Sequence, residues 1–374
     1  MVRVLIGDMF KSNVQTLVNT VNCVGIMGKG IALEFKNRFQ DMFDDYAARC
    51  EREEVKLGFP YLFRRLFPPW VLLFPTKEHW RSVSSLSAIE KGLEHLTANY
   101  KQWEITSIAV PPLGCGLGEL DWNIVGPTLY RHLQQLDIPV ELYAPFNTPH
   151  RQLTPEFLGG SHPTQTSEVK NGAPKIEPGF ILLLEVLWRL QLTPYHWPVG
   201  RTTFQKLAYF GTQLGLATGL EYRRASFGPF TEDLKSKLTR LVNNGLIEEK
   251  QVGQMFAVTV GKTYADARNV YAKAFEASEQ VIERLKDLFC RMNTHEAELA
   301  ATVHFARETM KFEKGSLPTE EQLLNEVMEW KKRHRPPYDR REVATTIRNL
   351  ASLGWIDVKP SESISNEVIA DFTA

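Results

Sequence analysis

Short apolar, β-branched runs alternate with helical patterns over the first 147 residues. The strand-like runs are "VRVLIG", "TLVNTV", "WVLLFPT", "ITSIAVPP" and "VELYAP". The helical segments are "GIALEFKNRF", "SLSAIEKGLEHLTANY" and "NIVGPTLYRHLQQL". A sheet covered by helices produces this alternation. The pattern therefore predicts an α/β domain, with a mixed sheet between helices, over residues 1–147.

The pattern changes twice beyond this domain. Residues 148–178 are rich in Pro, Gly, Ser and Thr without periodicity, which predicts a linker. Residues 179–374 show mostly helical patterns. Within them, "SFGPFTEDLKSKLTRLVNNGLIEEKQVGQMFAVTV" indicates a helix, an Asn-Gly turn and two short strands, and "PYDRREVATTIRNLASLGWIDVKP" repeats this order. The prediction is a mostly helical, winged-helix-like C-terminal region.

Composition narrows the function classes. Lysine plus arginine and aspartate plus glutamate each number 44 in 374 residues, so no global basic field indicates a nucleic-acid coat. The four cysteines lie far apart without CxxC spacing, which argues against a disulfide framework or a zinc site and suits a reducing cytosol. The start "VRVLIGD" does not resemble a signal peptide, and "FILLLEVLWRL" is too short and too charged to cross a bilayer. A cytoplasmic protein without metal, cofactor or membrane contact is predicted.

Two glycine-rich loops each follow a strand and precede a helix. They are "VNCVGIMGKGIALEF" at residues 21–35 and "AVPPLGCGLGELDW" at residues 109–122. Glycine lets backbone N–H groups approach a ligand, and a helix N-terminus attracts an anion, to which Lys29 adds a positive charge. The pair predicts a clamp for a diphosphate at the carboxyl ends of the strands. Neither loop fits a dinucleotide or P-loop pattern in the right context, and glycines that only close tight turns are the alternative.

These loops, the "GD" after the first strand and "FPTKEHWR" resemble a macrodomain, the ADP-ribose-binding module. The resemblance covers residues 1–147 and is greater to the branch of the DarG antitoxins and the vertebrate terminal ADP-ribose protein glycohydrolase. It implies that Asp8 and the Met9 backbone hold adenine, near Phe146, that Asn22 and the first loop face the distal ribose, and that the second loop wraps the diphosphate. The residues it assigns to ADP-ribose are Asp8, Met9, Asn22, Gly25, Gly28, Lys29, Gly30, Thr76, Gly114, Cys115, Gly116, Leu117 and Phe146.

Simpler structural roles are the alternatives for three of these residues. Asp8 could cap a turn, Asn22 could satisfy backbone groups at a strand end, and Phe146 could pack on the linker.

Lys77 is the predicted catalytic residue. It follows an apolar strand, so partial desolvation at the rim of a pocket would lower the pKa of its amine and free a nucleophile. The resemblance implies catalysis at C1″ of the distal ribose, either through a Schiff base or by polarising the ring oxygen and water. A surface ion pair with Glu78 is the alternative. The vertebrate enzyme has an aspartate after its "GCGL" stretch, where this chain has Gly118, so Glu119 or Asp121 would supply any carboxylate.

The sequence predicts structural or surface roles for His79 and Trp80, two aromatic residues that follow Lys77. Trp80 is interpreted as a core residue rather than a platform for stacking a base, and His79 as a surface histidine.

The resemblance implies hydrolysis of the N-glycosidic bond between ADP-ribose and a DNA base, with thymidine in single-stranded DNA as the substrate. A base inside a duplex would first have to be flipped out. It also implies that the C-terminal region binds and blocks a DarT-type toxin, the ADP-ribosyltransferase. Acidic residues that could imitate phosphates there are Glu320, Glu321, Glu326 and Glu329.

Three other functions fit the same residues. A non-catalytic ADP-ribose reader would use the loops without Lys77. An ADP-ribose-sensing transcription regulator would bind DNA through Arg340, Arg341 and Arg348. An ADP-ribose-1″-phosphatase is the other enzymatic reading.

Overall fold

The computed structural model describes residues 1–159, 176–194, 196–252, 255–332, 334 and 336–361. The chain forms two compact units. The first consists of Met1–Ile181, Lys237–Glu248 and Val260–Ala277, and the second of Leu182–Ser236, Glu249–Thr259 and Ser278–Ala374. Residues that follow the predicted linker therefore contribute to both units.

A six-stranded sheet organises the first unit. Its strands are β1 (Val2–Leu5), β2 (Thr16–Asn22), β3 (Tyr61–Phe63), β4 (Trp70–Lys77), β5 (Ile108–Val110) and β6 (Val140–Tyr143). The strand order is β1-β6-β5-β2-β4-β3. All neighbours run parallel except β3, which pairs antiparallel with β4. The predicted mixed sheet is confirmed.

Helices connect these strands. In order they are α1 (Gly30–Arg38), α2 (Gln40–Glu51), α3 (Leu86–Asn99) and α4 (Trp122–Leu133), and a short helix, α5 (Pro155–Leu158), follows the last strand. In α3, Leu86, Ile89, Leu93 and Leu96 recur at helical spacing and are all buried. Ser85 starts this helix, since its hydroxyl accepts a hydrogen bond from the Ala88 N–H at 3.3 Å. The apolar stripe and the cap together fix where α3 lies and begins.

The central strands β2 and β4 carry the core of the first unit. Leu17 and Val18 of β2 are at most 2% exposed, and Val71 and Phe74 of β4 are fully buried. Parallel strands covered on both faces read as continuous apolar runs rather than as alternating ones. This explains why "WVLLFPT" is apolar throughout its length.

The start of the predicted linker is folded. Residues 150–153 form a 3₁₀ turn and α5 follows, with Thr154 accepting a hydrogen bond from the Phe157 N–H at 3.3 Å. Phe157 and Leu158 are buried. Burial of these two side chains anchors a segment that composition alone assigned to a linker. Residues 160–175 of the predicted linker lie outside the described residues.

The C-terminal region is rich in helices, as predicted. Its helices are α6 (Pro178–Leu192), α7 (Arg201–Gln213), α8 (Asp233–Asn243), α9 (Tyr264–Val270), α10 (Ala272–Phe289), α11 (Thr294–Lys314), α12 (Glu320–Lys331) and α13 (Arg340–Ser352). Its strands are β7 (Arg223–Ala225), β8 (Gly228–Phe230), β9 (Ile247–Val252) and β10 (Met255–Val260). Over the part of the chain that the structure describes, no helix is both long and apolar enough to cross a bilayer.

One of the two predicted helix-then-wing patterns forms. After α8, β9 and β10 pair as a two-stranded sheet. After α13, the described residues up to 361 contain only an isolated bridge between Thr319 and Lys359. The second wing is therefore not formed within this range, because Lys359 pairs with the start of α12 instead of with a neighbouring strand.

Part of the C-terminal half packs into the first unit through polar contacts. The Asn244 side chain accepts a hydrogen bond from the Asp121 N–H at 2.8 Å. Arg131 of α4 forms an ion pair with Asp266 of α9 at 2.8 Å. The segment 237–248 therefore lies against the residues that precede α4.

Candidate functional site

The carboxyl ends of β2, β4 and β5 lie side by side, because these parallel strands are neighbours in the sheet. The register between β2 and β4 shifts at its end, so that Val21 pairs with Pro75 but Asn22 pairs with Lys77. Thr76 is the extra residue of this bulge, and bulges redirect side chains near functional sites. The bulge places Asn22 beside Lys77.

A pocket of about 750 Å³ opens at this edge of the sheet. Its wall comes from three segments of the first unit, within residues 20–32, 76–84 and 111–119. The predicted residues that line it are Asn22, Gly28, Lys29, Gly30, Thr76, Lys77, Gly114, Gly116 and Leu117. Both glycine loops and the predicted catalytic lysine therefore meet in one cavity.

Asn22 organises the first glycine loop. Its amide nitrogen donates to the Ile26 carbonyl at 2.6 Å, and its oxygen accepts from the Val24 N–H at 2.9 Å and from the Tyr46 hydroxyl at 3.1 Å. Tyr46 is fully buried, and burial raises the pKa of its hydroxyl. Asn22 thus lines the pocket while its polar groups hold the loop, as the structural alternative expected.

The N-terminus of α1 faces the pocket. The helix begins at Gly30, and the side chain of the preceding residue, Lys29, makes no capping hydrogen bond. Gly30, Ile31 and Ala32 all line the cavity. The first amides of a helix lack intrahelical partners and carry the positive end of its dipole. This end of α1 therefore offers the pocket a site for an anion such as a phosphate.

The second loop has a shape that only glycine allows at two positions. Gly114 has a left-handed backbone, with φ of +74°. A Cβ atom at Gly118 would lie 2.3 Å from the Gly114 carbonyl oxygen and 2.5 Å from the Ser84 hydroxyl. The Leu120 N–H donates to that same Gly114 carbonyl at 3.0 Å. The loop is folded back on itself too tightly for any side chain at position 118.

Lys77 joins the two sides of the pocket. Its amine, at the end of β4, donates to the Leu117 carbonyl of the second loop at 2.5 Å. Partial burial lowers the pKa of this amine, and the negative charge of Glu119 opposes the shift. No ion pair between Lys77 and Glu78 forms among the described residues. The amine is held over the cavity and is easier to deprotonate than an ordinary lysine.

Of the two carboxylates considered in place of the missing aspartate, only Glu119 lines the pocket. Glu119 has a left-handed backbone, is half-exposed and forms an ion pair with Arg240 at 3.6 Å. Asp121 is buried and caps α4, accepting a hydrogen bond from the Asn123 N–H at 3.0 Å. The carboxylate near Lys77 is therefore that of Glu119.

Five predicted residues do not line the cavity: Asp8, Met9, Gly25, Cys115 and Phe146. Asp8 follows β1 and Phe146 follows β6, and these two parallel strands are adjacent in the sheet. Phe146 is 78% exposed. The Asp8 carboxylate accepts a hydrogen bond from the Phe10 N–H at 3.0 Å, while the Met9 side chain belongs to the core. Their contacts with adenine stay a prediction.

Sequence reasoning missed part of the wall, in the segment directly after Lys77. Trp80, Arg81, Ser82 and Ser84 all line the pocket. The interpretation of Trp80 as a core residue is wrong, because its side chain is 46% exposed at the rim. Its place three residues after Lys77 in "KEHWR" is a signal in the sequence that could have found it.

Ser84 is a buried polar residue of this wall. It is fully buried, and its hydroxyl has no hydrogen-bond partner among the described residues. Its backbone N–H donates to the Gly118 carbonyl at 3.0 Å, which ties it to the second loop. Buried hydroxyls in native structures almost always have partners. Because Ser84 belongs to the pocket wall, we infer that a bound ligand supplies the missing partner.

We therefore expect Ser84→Ala to weaken ADP-ribose binding roughly five-fold, the effect of losing a hydrogen bond of about 1 kcal/mol. The melting temperature should stay the same or rise, because the free protein loses an unpartnered hydroxyl. Titration calorimetry and thermal unfolding measure both. Ser82→Ala, an exposed serine on the same wall, is the matched control. Equal affinities for wild type and Ser84→Ala would contradict a contact with the ligand.

Comparisons with known proteins agree with this geometry. The family model described as "Macro domain" matches residues 18–129. A DNA ADP-ribosyl glycohydrolase of Thermus aquaticus is 32% identical over 314 residues, which cover 82% of each chain. A protein of Mycobacterium tuberculosis with the same name is 36% identical over 243 residues, or 62% of this chain and 64% of that one.

A third relative joins two activities in its name. It is the DNA ADP-ribosyl transferase-DNA ADP-ribosyl glycohydrolase fusion protein of Thermosipho africanus, 44% identical over 172 residues. These residues are 41% of this chain, and the chain spans only 44% of the length of the fusion protein. The resemblance to macrodomains is confirmed over residues 18–129, and the match to the Thermus protein extends over most of both chains. The chain belongs to the family of DNA ADP-ribosyl glycohydrolases.

Proposed function

We propose that this protein releases ADP-ribose from a DNA base by hydrolysing the N-glycosidic bond at C1″ of the distal ribose. The observation that carries the proposal is the Lys77 amine, which is held over the cavity between the two glycine loops. The names of its relatives in Thermus and Mycobacterium support the same activity. Thymidine in single-stranded DNA is the proposed substrate.

The pocket divides binding from chemistry. The uncapped amides of α1 and the second loop suit the two phosphates, since both offer backbone N–H groups to an anion. Lys77 lies between them and suits the reacting ribose. Binding energy from the diphosphate then holds C1″ against the amine, which lowers the entropic part of the barrier.

Lys77 acts in this proposal as a neutral amine. As the bond between C1″ and the base nitrogen breaks, its electron pair stays on the base, which takes up the proton that the lysine nitrogen releases after it has added to C1″. The amine nitrogen adds to C1″, and water then replaces it to give free ADP-ribose and the original lysine. Burial favours the neutral amine, and Glu119, which opposes this, is half-exposed and shared with Arg240.

Single-stranded DNA fits the site better than a duplex. The base must reach a cavity at the edge of a sheet, and a paired base would first have to leave its stack. The chain has no net charge, so most of the binding energy would come from ADP-ribose rather than from the DNA backbone. The expected location is the cytoplasm, where such DNA occurs in bacteria.

Release of ADP-ribose from an oligonucleotide modified on thymidine tests the proposal directly. The wild-type chain should release it, and a strand modified on guanosine should be hydrolysed more slowly. If the chain binds ADP-ribose but releases none from either strand, it is a non-catalytic ADP-ribose reader and the enzymatic proposal is overturned.

The pH dependence of the reaction should reflect the amine. We expect kcat/KM to rise with pH and then to level off. The midpoint of the rise should lie below about 10.4, the ordinary pKa of lysine, because burial lowers the pKa of Lys77. The sign follows from the neutral amine, whose fraction grows as pH rises through that pKa. Rates measured from neutral to alkaline pH check it. A rate that falls over this range would mean that the protonated amine is the catalytic form.

We also propose that the C-terminal region binds and blocks the ADP-ribosyltransferase that attaches ADP-ribose to DNA. The fusion protein of Thermosipho africanus, whose name joins both activities, supports this pairing. Of the acidic candidates, Glu320 is buried and paired with Arg348, while Glu326 and Glu329 have basic partners. Glu321 is exposed and makes no ion pair among the described residues. It is therefore the first candidate for imitating a phosphate.

The full chain with Lys77→Ala tests this second role. It should still inhibit a DarT-type transferase in a purified DNA-modification assay, because inhibition by binding does not need hydrolysis. Adding Glu321→Lys should weaken that inhibition. Loss of all inhibition with Lys77→Ala alone would mean that the chain counteracts the transferase only by removing its product.

A further inference from the structure

We infer that Trp80 and Arg81 form a nucleotide platform, on which the DNA base attached to ADP-ribose stacks while its flanking phosphate meets Arg81. The inference rests on the proposed function and adds the part of the substrate that lies outside the ADP-ribose. It assigns to this chain a site for the leaving group, whose residues are distinct from the glycine loops.

Trp80 lies where the leaving group must pass. It lines the same cavity as Lys77, only three residues further along the chain, and is 46% exposed. A base joined to C1″ extends away from the diphosphate and past the Lys77 amine, towards this rim. Stacking on an aromatic ring suits any unpaired base, since every base has a π-face.

A tight turn holds the indole at this rim. The His79 carbonyl accepts a hydrogen bond from the Ser82 N–H at 2.9 Å, and the His79 ring accepts one from the Arg81 N–H at 3.2 Å. The His79 and Trp80 rings lie 5.4 Å apart with an angle of 32°. These contacts fix the backbone of the turn that carries Trp80, which reduces the entropy that binding would otherwise cost.

Arg81 is suited to a phosphate. Its guanidinium lies over the Trp80 ring, 4.6 Å from the centroid. It is exposed, and within the described ranges it forms no ion pair with a carboxylate. A guanidinium offers five N–H donors in a fork that matches phosphate oxygens. A cation without a carboxylate partner, beside an exposed indole, has the composition of a site for single-stranded nucleic acid.

Trp80 and Arg81 are separate from the polar groups of the cavity that suit ADP-ribose. The α1 amides, the second loop and Ser84 lie on segments that suit ADP-ribose itself. Neither Trp80 nor Arg81 is needed to shape those segments, because both are exposed side chains. Their removal should leave the ADP-ribose subsite intact.

Binding measurements separate the platform from the chemistry. In the full chain with Lys77→Ala, we would compare the Kd of free ADP-ribose with that of a short single strand ADP-ribosylated on thymidine. The modified strand should bind more tightly than free ADP-ribose, and Trp80→Ala should reduce the ratio of these two affinities about ten-fold, the usual effect of one stacked base. Trp80→Phe should keep most of it. Trp197→Ala, an exposed tryptophan that does not line the pocket, is the matched control.

Arg81 has a separate signature. Arg81→Ala should reduce the slope of log Kd against log salt for the modified strand by about 0.7, which corresponds to one phosphate contact of a single strand. The Kd of free ADP-ribose should stay the same in both variants.

The outcomes distinguish the platform from the proposed hydrolysis. If Trp80→Ala weakens free ADP-ribose and the modified strand equally, or weakens neither, the platform is overturned even when the wild-type chain hydrolyses the strand. If the wild-type chain releases no ADP-ribose but the strand's advantage still depends on Trp80, the platform stands and the proposed hydrolysis fails. An unchanged salt slope in Arg81→Ala would overturn the phosphate contact alone.

Discussion

Replacing Lys77 with alanine is expected to lower kcat for release of ADP-ribose from DNA by about 10²–10⁴-fold, the range for losing a group that acts directly in the reaction. The affinity for ADP-ribose should change by only a few-fold. The reason is geometric: Lys77 reaches the cavity from the end of β4, and among the described residues no hydrogen bond joins its amine to the α1 amides, which suit a phosphate. The second loop loses the contact between Lys77 and Leu117 but keeps its own hydrogen bond between Leu120 and Gly114. Single-turnover kinetics on a modified strand and titration with ADP-ribose measure the two effects separately.

Two further variants test how the amine works. Lys77→Arg keeps a positive charge at the same place, but a guanidinium cannot lose its proton in a protein. If the neutral amine attacks C1″, this variant should be as slow as Lys77→Ala. Lys29→Ala is the matched control, since Lys29 is an exposed lysine of the same pocket and should affect binding more than kcat. A nearly active Lys77→Arg would contradict nucleophilic attack and favour electrostatic stabilisation.

Gly118→Asp, which introduces the carboxylate expected from the vertebrate relative, is predicted to damage the site rather than improve it. Any Cβ at this position would lie 2.3 Å from the Gly114 carbonyl oxygen, which is backbone and cannot rotate away. Overpacking of this kind costs about 1–3 kcal/mol of unfolding free energy. The second loop would have to move, so ADP-ribose affinity should fall at least about ten-fold, as a 1.4 kcal/mol loss would produce.

Neighbouring glycines provide the control for this prediction. Gly118→Ala carries the same clash without the charge and should show a similar loss of affinity. At Gly116, two residues earlier, an added Cβ meets no atom within 4 Å, so Gly116→Ala should unfold at the wild-type temperature. Thermal unfolding and calorimetry compare the three variants. A Gly118→Asp protein that binds ADP-ribose normally would show that the loop has another conformation available.

The β-strands and α-helices of residues 1–147 follow from local patterns, with two exceptions. The predicted strands match β1, β2, β4, β5 and β6, and the predicted helices match α1, α3 and α4. The edge strand β3 has only three residues, all partly buried, so its pattern is too short to recognise. Helix α2 was missed because "QDMFDDYAARCE" is mostly polar, and only Met42 and Tyr46 are buried.

The candidate site divides in the same way. The glycine loops and Lys77 are found from sequence, because each is a local motif at the end of a strand. Ser84 is not, since nothing in its immediate neighbours tells a buried hydroxyl from an exposed one. The only local signal for Trp80 is its place three residues after Lys77. The surroundings of Ser84 depend on the second loop, whose Gly118 lies 34 positions further along the chain.

The sequence by itself determined the kinds of element, the two loops that suit an anion and the amine between them, because hydrophobic periodicity and glycine act over a few residues. Only the tertiary structure decided which of these meet. The strand order brings the ends of β2, β4 and β5 together, and the bulge sets Asn22 opposite Lys77. The folded second loop leaves no room for a side chain at Gly118. These are long-range contacts, and their geometry arises from the packing of the whole sheet rather than from any one segment.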